Sequence, residues 1–351
     1  MGLNWHTVGL KKDETCVATG LNDDGQCNVQ DWTDIKQVTC CANHTVAVLN
    51  DSTCIATGRN DYKQCDVGSW TNIMQIVGGW RHTVGLKSDG TCVAVGYNGN
   101  NQINVTGWTD IKQVACGYQH TIGLRSNGTC VATGWNGNNQ CNVQDWTDIK
   151  QIVCGFGYTI GLKEDGTCIG TGDNGKGQLN VTDWTDIVQV SCGEKHTIGL
   201  KADGTCVACG DNTYGACNVT DWTGIVQVSC GGYFTVGLKK DETCIAIGDN
   251  SKGQCDVTNW TDINNLTCET LFKLILLLFL LKQNNQYYTI KDNSLVSLDS
   301  QTLDETNFGT NGFSDLNLLT NISNNYKITK QLESNICEFN LDNDIEKVEV
   351  K

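Results

Sequence analysis

The sequence predicts an all-β fold: a seven-bladed β-propeller made from seven copies of one 38-residue unit, with a small module after it. Three observations carry this. Tryptophan recurs at Trp32, Trp70, Trp108, Trp146, Trp184, Trp222 and Trp260, and threonine at Thr7, Thr45, Thr83, Thr121, Thr159, Thr197 and Thr235, always 38 residues apart. A fixed period of that length marks a solenoid, propeller or array. Within each copy apolar residues alternate with period two, which argues strands rather than helices. The two ends of the array also complement one another.

Taken in order, the second copy reads as four strands. Residues 35–40 give strand A, 44–49 strand B, 53–58 strand C and 64–67 a short strand D. Asn50, Asp51 and Ser52 separate B from C, and Asp-Gly fills that place at Asp89-Gly90 and Asp165-Gly166. Asp-Gly between alternating runs is a strong hairpin signal. Four antiparallel strands make one propeller blade, and blades around an axis leave only short edges. The chain starts just ahead of strand B of the first copy, while residues 261–268 supply a spare strand A after the seventh. Their simplest use is to finish the first blade and clasp the ring. The expected domains are therefore the propeller at 1–268, an apolar connector at 269–285 and an attachment module at 286–351. The apolar run 271–281 contains Lys273 and falls well short of the ~20 residues of a spanning helix, so a buried joining segment is expected in place of membrane contact. Residues 286–298 read as a hairpin turning at Asp292-Asn293. The remainder reads as a small α/β or partly disordered module.

The net charge is −15, which repels phosphate backbones and argues against nucleic acid as a partner. The 21 cysteines fall mostly in columns of the repeat. One column holds Cys16, Cys54, Cys92, Cys130, Cys168, Cys206 and Cys244. Another holds Cys40, Cys116, Cys154, Cys192, Cys230 and Cys268, with Gly78 in the remaining slot. A third holds Cys27, Cys65, Cys141, Cys217 and Cys255, with Ile103 and Leu179 in its gaps. Exchange with Ile and Leu reads as a compact apolar packing site, so reduced core thiols are expected. The single CxxC, Cys206 to Cys209, lacks a second pair or a nearby His, and no metal site is expected. The first residues carry no charged and then apolar leader pattern. The expectation is a cytoplasmic protein, the alternative being a virion or extracellular location reached by non-classical release.

The repeat G-x-x-H-T-[VI]-G-L-K-x-D-G-T-C-V-A-T-G-x-N-x-x-G-Q closely resembles the regulator of chromosome condensation (RCC1) repeat. The marks in one copy are His120-Thr121, Asn127-Gly128, Gly134, Asn136 and Gln140; in the next they are Gly172, Asn174, Gly177 and Gln178. The resemblance covers about three quarters of the chain. It implies a seven-bladed propeller, and the 38-residue blade is similar to compact bacterial members. The family's G-L-G after the Gln is replaced by x-N-V. The tail resembles segments of phage tail-fibre-type proteins.

Positions that vary between copies are free for function. They are the A–B loops and the C–D loops, which share one face if strands alternate in direction; the uniform B–C turns share the other. The A–B column holds Trp5, Trp80, Arg81, Tyr118, Gln119, Phe156 and Tyr233. The C–D column holds Arg59, Tyr62, Tyr97 and Trp135, then Asp173, Asp211 and Asp249. Aromatics with Arg are common anchors of protein interfaces. The candidate partner-binding residues are Trp5, Arg59, Trp80, Arg81, Tyr97, Tyr118, Trp135, Phe156 and Tyr233. The bland alternative is that these aromatics plug the axial channel or pack neighbouring loops.

All five histidines, His6, His44, His82, His120 and His196, occupy one column that also accepts Tyr158 and Phe234. A column so tolerant is structural rather than catalytic. Asp173-Asn174-Gly175 and Asp211-Asn212-Thr213 lack the spacing and closing Glu of a calcium loop and read as Asx turns. No nucleophile elbow, P-loop or dinucleotide fingerprint is present, so neither an enzyme nor a cofactor is expected. The leading expectation is a non-enzymatic RCC1-like propeller scaffold that binds a protein through its A–B/C–D face. The alternatives are a phage tail or surface adhesin that recognises a glycan or cell-surface receptor and, behind it, a guanine nucleotide exchange factor.

Overall fold

The structure is a computed structural model. It describes residues 5–264 and, in the C-terminal part, the strand segments 280–283, 286–291, 294–298, 319–322, 325–332, 335–341 and 348–350. The chain divides into two compact units between Asn265 and Leu266.

The first unit is a series of seven wedges, one per copy. In the second wedge Ile35–Cys40, His44–Leu49 and Cys54–Gly58 form an antiparallel sheet with strand B in the middle. Cys40 lies opposite Thr45, and Val48 opposite Cys54. The same three-stranded order recurs in the five wedges that follow. Each A–B pairing carries a one-residue bulge near the start of strand A, as between Ile35 and Gln37. A bulge bends its strand and sharpens the local twist.

The expected strand D does not form. Residues 59–67 fold instead into consecutive tight turns, Lys63 N donating to Asn60 O (3.0 Å) and Asp66 N to Lys63 O (3.1 Å). The cause is local side-chain competition for the backbone. Asn60 Oδ1 accepts from Cys65 N at 2.8 Å, and Lys63 sits at φ 67°, outside any strand conformation. The alternation at 64–67 therefore reports burial of Gln64 and Val67, not a ladder.

The cores lie between neighbouring wedges. Val46, Val48 and Cys54 of the second pack with Ile73 and Ile76 of the third, and Ile122, Leu124 and Cys130 of the fourth with Ile149, Ile152 and Cys154 of the fifth. Burying each such aliphatic chain contributes about 1.5–3 kcal/mol. This explains why strand B is buried on both faces although its pattern alternates. The periodic tryptophan caps each core. A Cβ on Gly85 would lie 2.9 Å from the Trp70 ring, so the indole packs directly on glycine there; only the second wedge places a larger residue, Ala47, in that slot. The spare volume at Gly78, the odd slot of the cysteine column, is filled from the preceding wedge: the Cys41 sulfur occupies the place a Gly78 side chain would take.

The first copy contributes only His6–Leu10 and Cys16–Gly20. Residues 262–264 lie beside it. Asn264 N donates to Leu10 O (2.7 Å) and Lys12 N to Asp262 O (2.9 Å), and Lys11 bridges Ile263. Trp260 and Ile263 cover Gly9 as Trp70 and Ile73 cover Gly85. Thr7 Oγ1 donates to Gln254 O (2.7 Å), as Thr45 does to Gln26 O and Thr83 to Gln64 O. The seventh wedge thus meets the first through contacts that join other neighbours. Residues 265–268 of the expected closing strand lie outside the described residues.

In the second unit 280–283, 286–291 and 294–298 form one antiparallel sheet, and 319–322, 325–332, 335–341 and 348–350 another. Lys291 pairs with Ser294 across the expected hairpin; the turn at 292–293 and residues 271–279 of the apolar run lie outside the described residues. The α/β expectation for this module finds no helix among the described residues. None of them forms a helix long and apolar enough to cross a membrane.

Candidate functional site

The interior columns are structural. Each Thr of strand B has one hydroxyl proton, and Thr45, Thr83, Thr121, Thr159 and Thr235 give it to a main-chain carbonyl at 2.7–2.8 Å. The imidazole Nε2 that reaches each of these hydroxyls, from His6, His44, His82, His120 and His196 at 2.9–3.1 Å, must therefore be the donor. Burial holds these histidines neutral, pushing them down to about 3 for His44 and His120 and about 4 for His6, His82 and His196. Tyr158 fills a His slot: its hydroxyl donates to His196 O at 2.5 Å and lies 3.2 Å from Thr197 Oγ1, whose own proton goes to Gln178 O at 2.8 Å. None of these groups is poised for chemistry. The cysteines behave alike: Cys16, Cys54 and Cys206 are buried free thiols that burial pushes up to about 12, 12 and 11. No group of three or more His, Cys, Asp or Glu that could hold a metal ion is found among the described residues.

The loops divide as the strand directions require. Arg59 N, after strand C, bonds Asn43 O in the A–B loop (2.8 Å), while Asn50 N, in the B–C turn, bonds Asp34 O (2.9 Å). The A–B and C–D loops therefore share one face. On it the A–B loops of successive wedges are linked by main-chain bonds: Tyr118 N to Phe156 O (3.3 Å), Phe156 N to Glu194 O (3.4 Å) and Glu194 N to Gly232 O (3.0 Å). This linkage sets the side chains of one column next to each other.

Three of them stack. The Trp80 and Tyr118 rings are 4.4 Å apart at 24°, and Tyr118 and Phe156 are 4.2 Å apart at 22°. The Arg81 guanidinium lies 3.5 Å over the Trp80 ring and 4.7 Å from the Tyr62 ring, and its Nη1 donates to Tyr62 Oη at 2.8 Å. Tyr62 meets Tyr97 edge-on at 5.2 Å. The structure thus gathers Trp80, Arg81, Tyr97, Tyr118 and Phe156 into one half-buried cluster, with the exposed Tyr62 at its edge.

The other named residues lie elsewhere on the face. Trp5 and Tyr233 form a second cluster with Tyr214, at 6.3 and 5.3 Å. Trp135 joins neither stack; it folds back onto Gly137 of its own loop. Arg59 is tied to Asp61 through Nε at 2.6 Å. Asp173, Asp211 and Asp249 cap their own turns through Gly175 N, Thr213 N and Ser251 N at 2.9–3.0 Å, the Asx-turn role expected of them. Asp211 also pairs with Lys176 at 3.4 Å.

Two members were not singled out in the sequence. Glu194 holds the slot of Trp80, Tyr118 and Phe156 in its own wedge, and burial raises its carboxyl although the Tyr233 hydroxyl bonds it. Tyr214 holds the slot of Tyr62 and is 55% exposed. Both sit in variable columns, so full column alignment is the signal that finds them.

The family model for the regulator of chromosome condensation (RCC1) repeat matches residues 73–102, 111–140, 149–178, 187–216 and 225–254. No curated protein matches the chain. Among solved structures, Prp20p of Saccharomyces cerevisiae is similar at 16% identity over 77% of this chain and 88% of that one, with a TM-score of 0.56. Yeast RCC1 (Prp20) bound to Kap60 gives 16%, 66%, 75% and 0.53 in the same order. The CRINKLY WD40 ectodomain of the Arabidopsis thaliana receptor kinase ACR4 gives 17%, 69%, 92% and 0.56. These likenesses bear on the fold. The chain thus carries five matches to the RCC1 repeat model on an RCC1-like propeller fold.

Proposed function

We propose that this chain is a non-enzymatic RCC1-like propeller that binds a protein partner through its A–B/C–D loop face. The observation that carries the reading is the contrast between columns. Interior positions repeat from wedge to wedge, whereas the loop column changes from Ala42 to Trp80, Tyr118, Phe156, Glu194 and Gly232. The aromatic members of that column fall on adjacent wedges and stack, half-buried, with Arg81. Aromatic rings and arginine are the groups whose burial dominates binding energy at protein interfaces. The buried histidines and thiols offer no nucleophile or base to a substrate, which supports a binding role over catalysis. The relatives named above bind proteins: yeast RCC1 is known bound to Kap60, and Prp20p has binding properties toward Gsp1p and histones.

The test is affinity capture with the full chain, a Trp80→Ala/Tyr118→Ala variant and a control altered on the opposite face, such as Lys112→Ala. The expected result is a protein retained by wild type and control and lost by the double variant. Equal retention by all three would sink the assignment. Binding on a glycan array that also depends on Trp80 and Tyr118 would transfer the face to carbohydrate recognition.

A further inference from the structure

Arg81 differs from Arg59 and Lys176, two other cations of this face. Arg59 is neutralised by Asp61, and Lys176 by Asp211. Arg81 forms no ion pair with any described acid. Its one hydrogen bond there is to the Tyr62 hydroxyl, and its buried Nε has no hydrogen-bond partner. The side chain is nonetheless held, flat against Trp80 and close to Tyr62. Stacking fixes the guanidinium plane and pre-organises the fork of donors that matches a carboxylate. A charge kept half-buried without a counter-ion is costly, and an incoming anion removes that cost. The chain carries a net charge of −15, so a positive anchor stands out against its surroundings.

Further round the A–B loops, the slot of the stacked rings is held by Glu194, a partly buried carboxyl bonded by the Tyr233 hydroxyl. The aromatic stack therefore has a cation, Arg81, at one end and a carboxyl, Glu194, at the other. Such a pattern fixes the orientation of a bound chain and rejects ligands of the reverse polarity.

We propose that Arg81 anchors a carboxylate of the protein partner, and that the bound segment is acidic with an apolar side chain beside the acid that lies against Trp80, Tyr118 and Phe156. This rests on the partner-binding reading above and adds the chemistry of the partner to it.

The experiment uses the full chain and three sets of fluorescein-labelled dodecapeptides: acidic with leucine and phenylalanine, the same with lysine replacing each acid, and the same with phosphoserine replacing each acid. Anisotropy titration is expected to favour the acidic set at least tenfold over the lysine set. Arg81→Gln should abolish that preference with an unchanged melting curve. Arg81→Lys, which keeps the charge but loses the fork and the stacking, should recover only part of it. An acidic preference that survives Arg81→Gln, equal binding of the lysine set, a preference for the phosphoserine set, or no binding of any set would each overturn the carboxylate anchor. The partner-binding face is judged separately: if Arg81→Gln still captures the partner while Trp80→Ala/Tyr118→Ala does not, the face stands and the anchor falls.

Discussion

Six of the seven wedge junctions and the seventh, where the chain's two ends meet, differ by one side chain. Five junctions carry a His-to-Thr hydrogen bond, and Tyr158 provides an equivalent at a sixth by donating to His196 O. At the seam Phe234 holds that slot and offers Thr7 nothing to bond. The seam relies instead on Trp260 and Ile263 over Gly9, on Thr7 and Thr19 donating to the carbonyls of Gln254 and Gly253, and on the Lys12–Glu242 pair at 2.6 Å. That ion pair is exposed and contributes little. The polar link is thus interchangeable, while the apolar core and the Thr-to-carbonyl bond recur at interior junctions and seam alike. What makes a wedge fit its neighbour is shape first and the histidine second.

The comparison breaks most sharply with acid. Each buried histidine is held neutral to about 3 or 4 in the folded chain but protonates near 6.5 when unfolded. The unfolded state therefore binds more protons as pH falls below 6.5, and stability drops by up to about 1.4 kcal/mol per pH unit for each histidine. Urea unfolding should show a steep loss between pH 6.5 and 4. His120→Tyr, which copies the Tyr158 solution, should make the slope shallower by about one histidine's share. A flat profile across that window would contradict neutral burial.

A smaller effect is expected between the second and third wedges. Gly78→Cys restores the repeat's usual residue but places it where the Cys41 sulfur already lies. Overpacking should cost about 1–3 kcal/mol. Cys41→Gly, also the repeat's usual residue, should relieve that loss in the double variant, with a coupling energy above roughly 0.5 kcal/mol in a double-mutant cycle. Additive losses would show that the two sites do not share the space.

The smallest effect sharpens the seam itself. Phe234→His should let Nε2 donate to Thr7 and gain about 0.5–1.5 kcal/mol at pH 7.5, with a steeper acid slope as its signature. Loss of stability in denaturant melts would mean that the seam selects the apolar ring for packing.

Much of this frame was legible because it is written seven times. The limits of strands A and B, the shared loop face and the structural nature of the histidine column follow from the residues each slot tolerates. Strand D was misread because burial of Gln64 and Val67 imitates a strand pattern; only the Asn60 side chain and the left-handed Lys63 reveal the turns. The candidate site was legible as a set of columns but not as a cluster. Trp80, Tyr118 and Phe156 share a slot, and the main-chain links between loops bring that slot together. Trp135 and Arg59 occupy another slot, whose side chains are captured by Gly137 and Asp61 of their own loops. No column count foretells such short-range capture.

The slot that carries the stack also carries alanine, glutamate and glycine in other copies, all on the same backbone. Its occupants can be traded without repacking any core. A lineage built on this scaffold is therefore free to change what it recognises one wedge at a time, keeping its melting behaviour while it explores new binding targets.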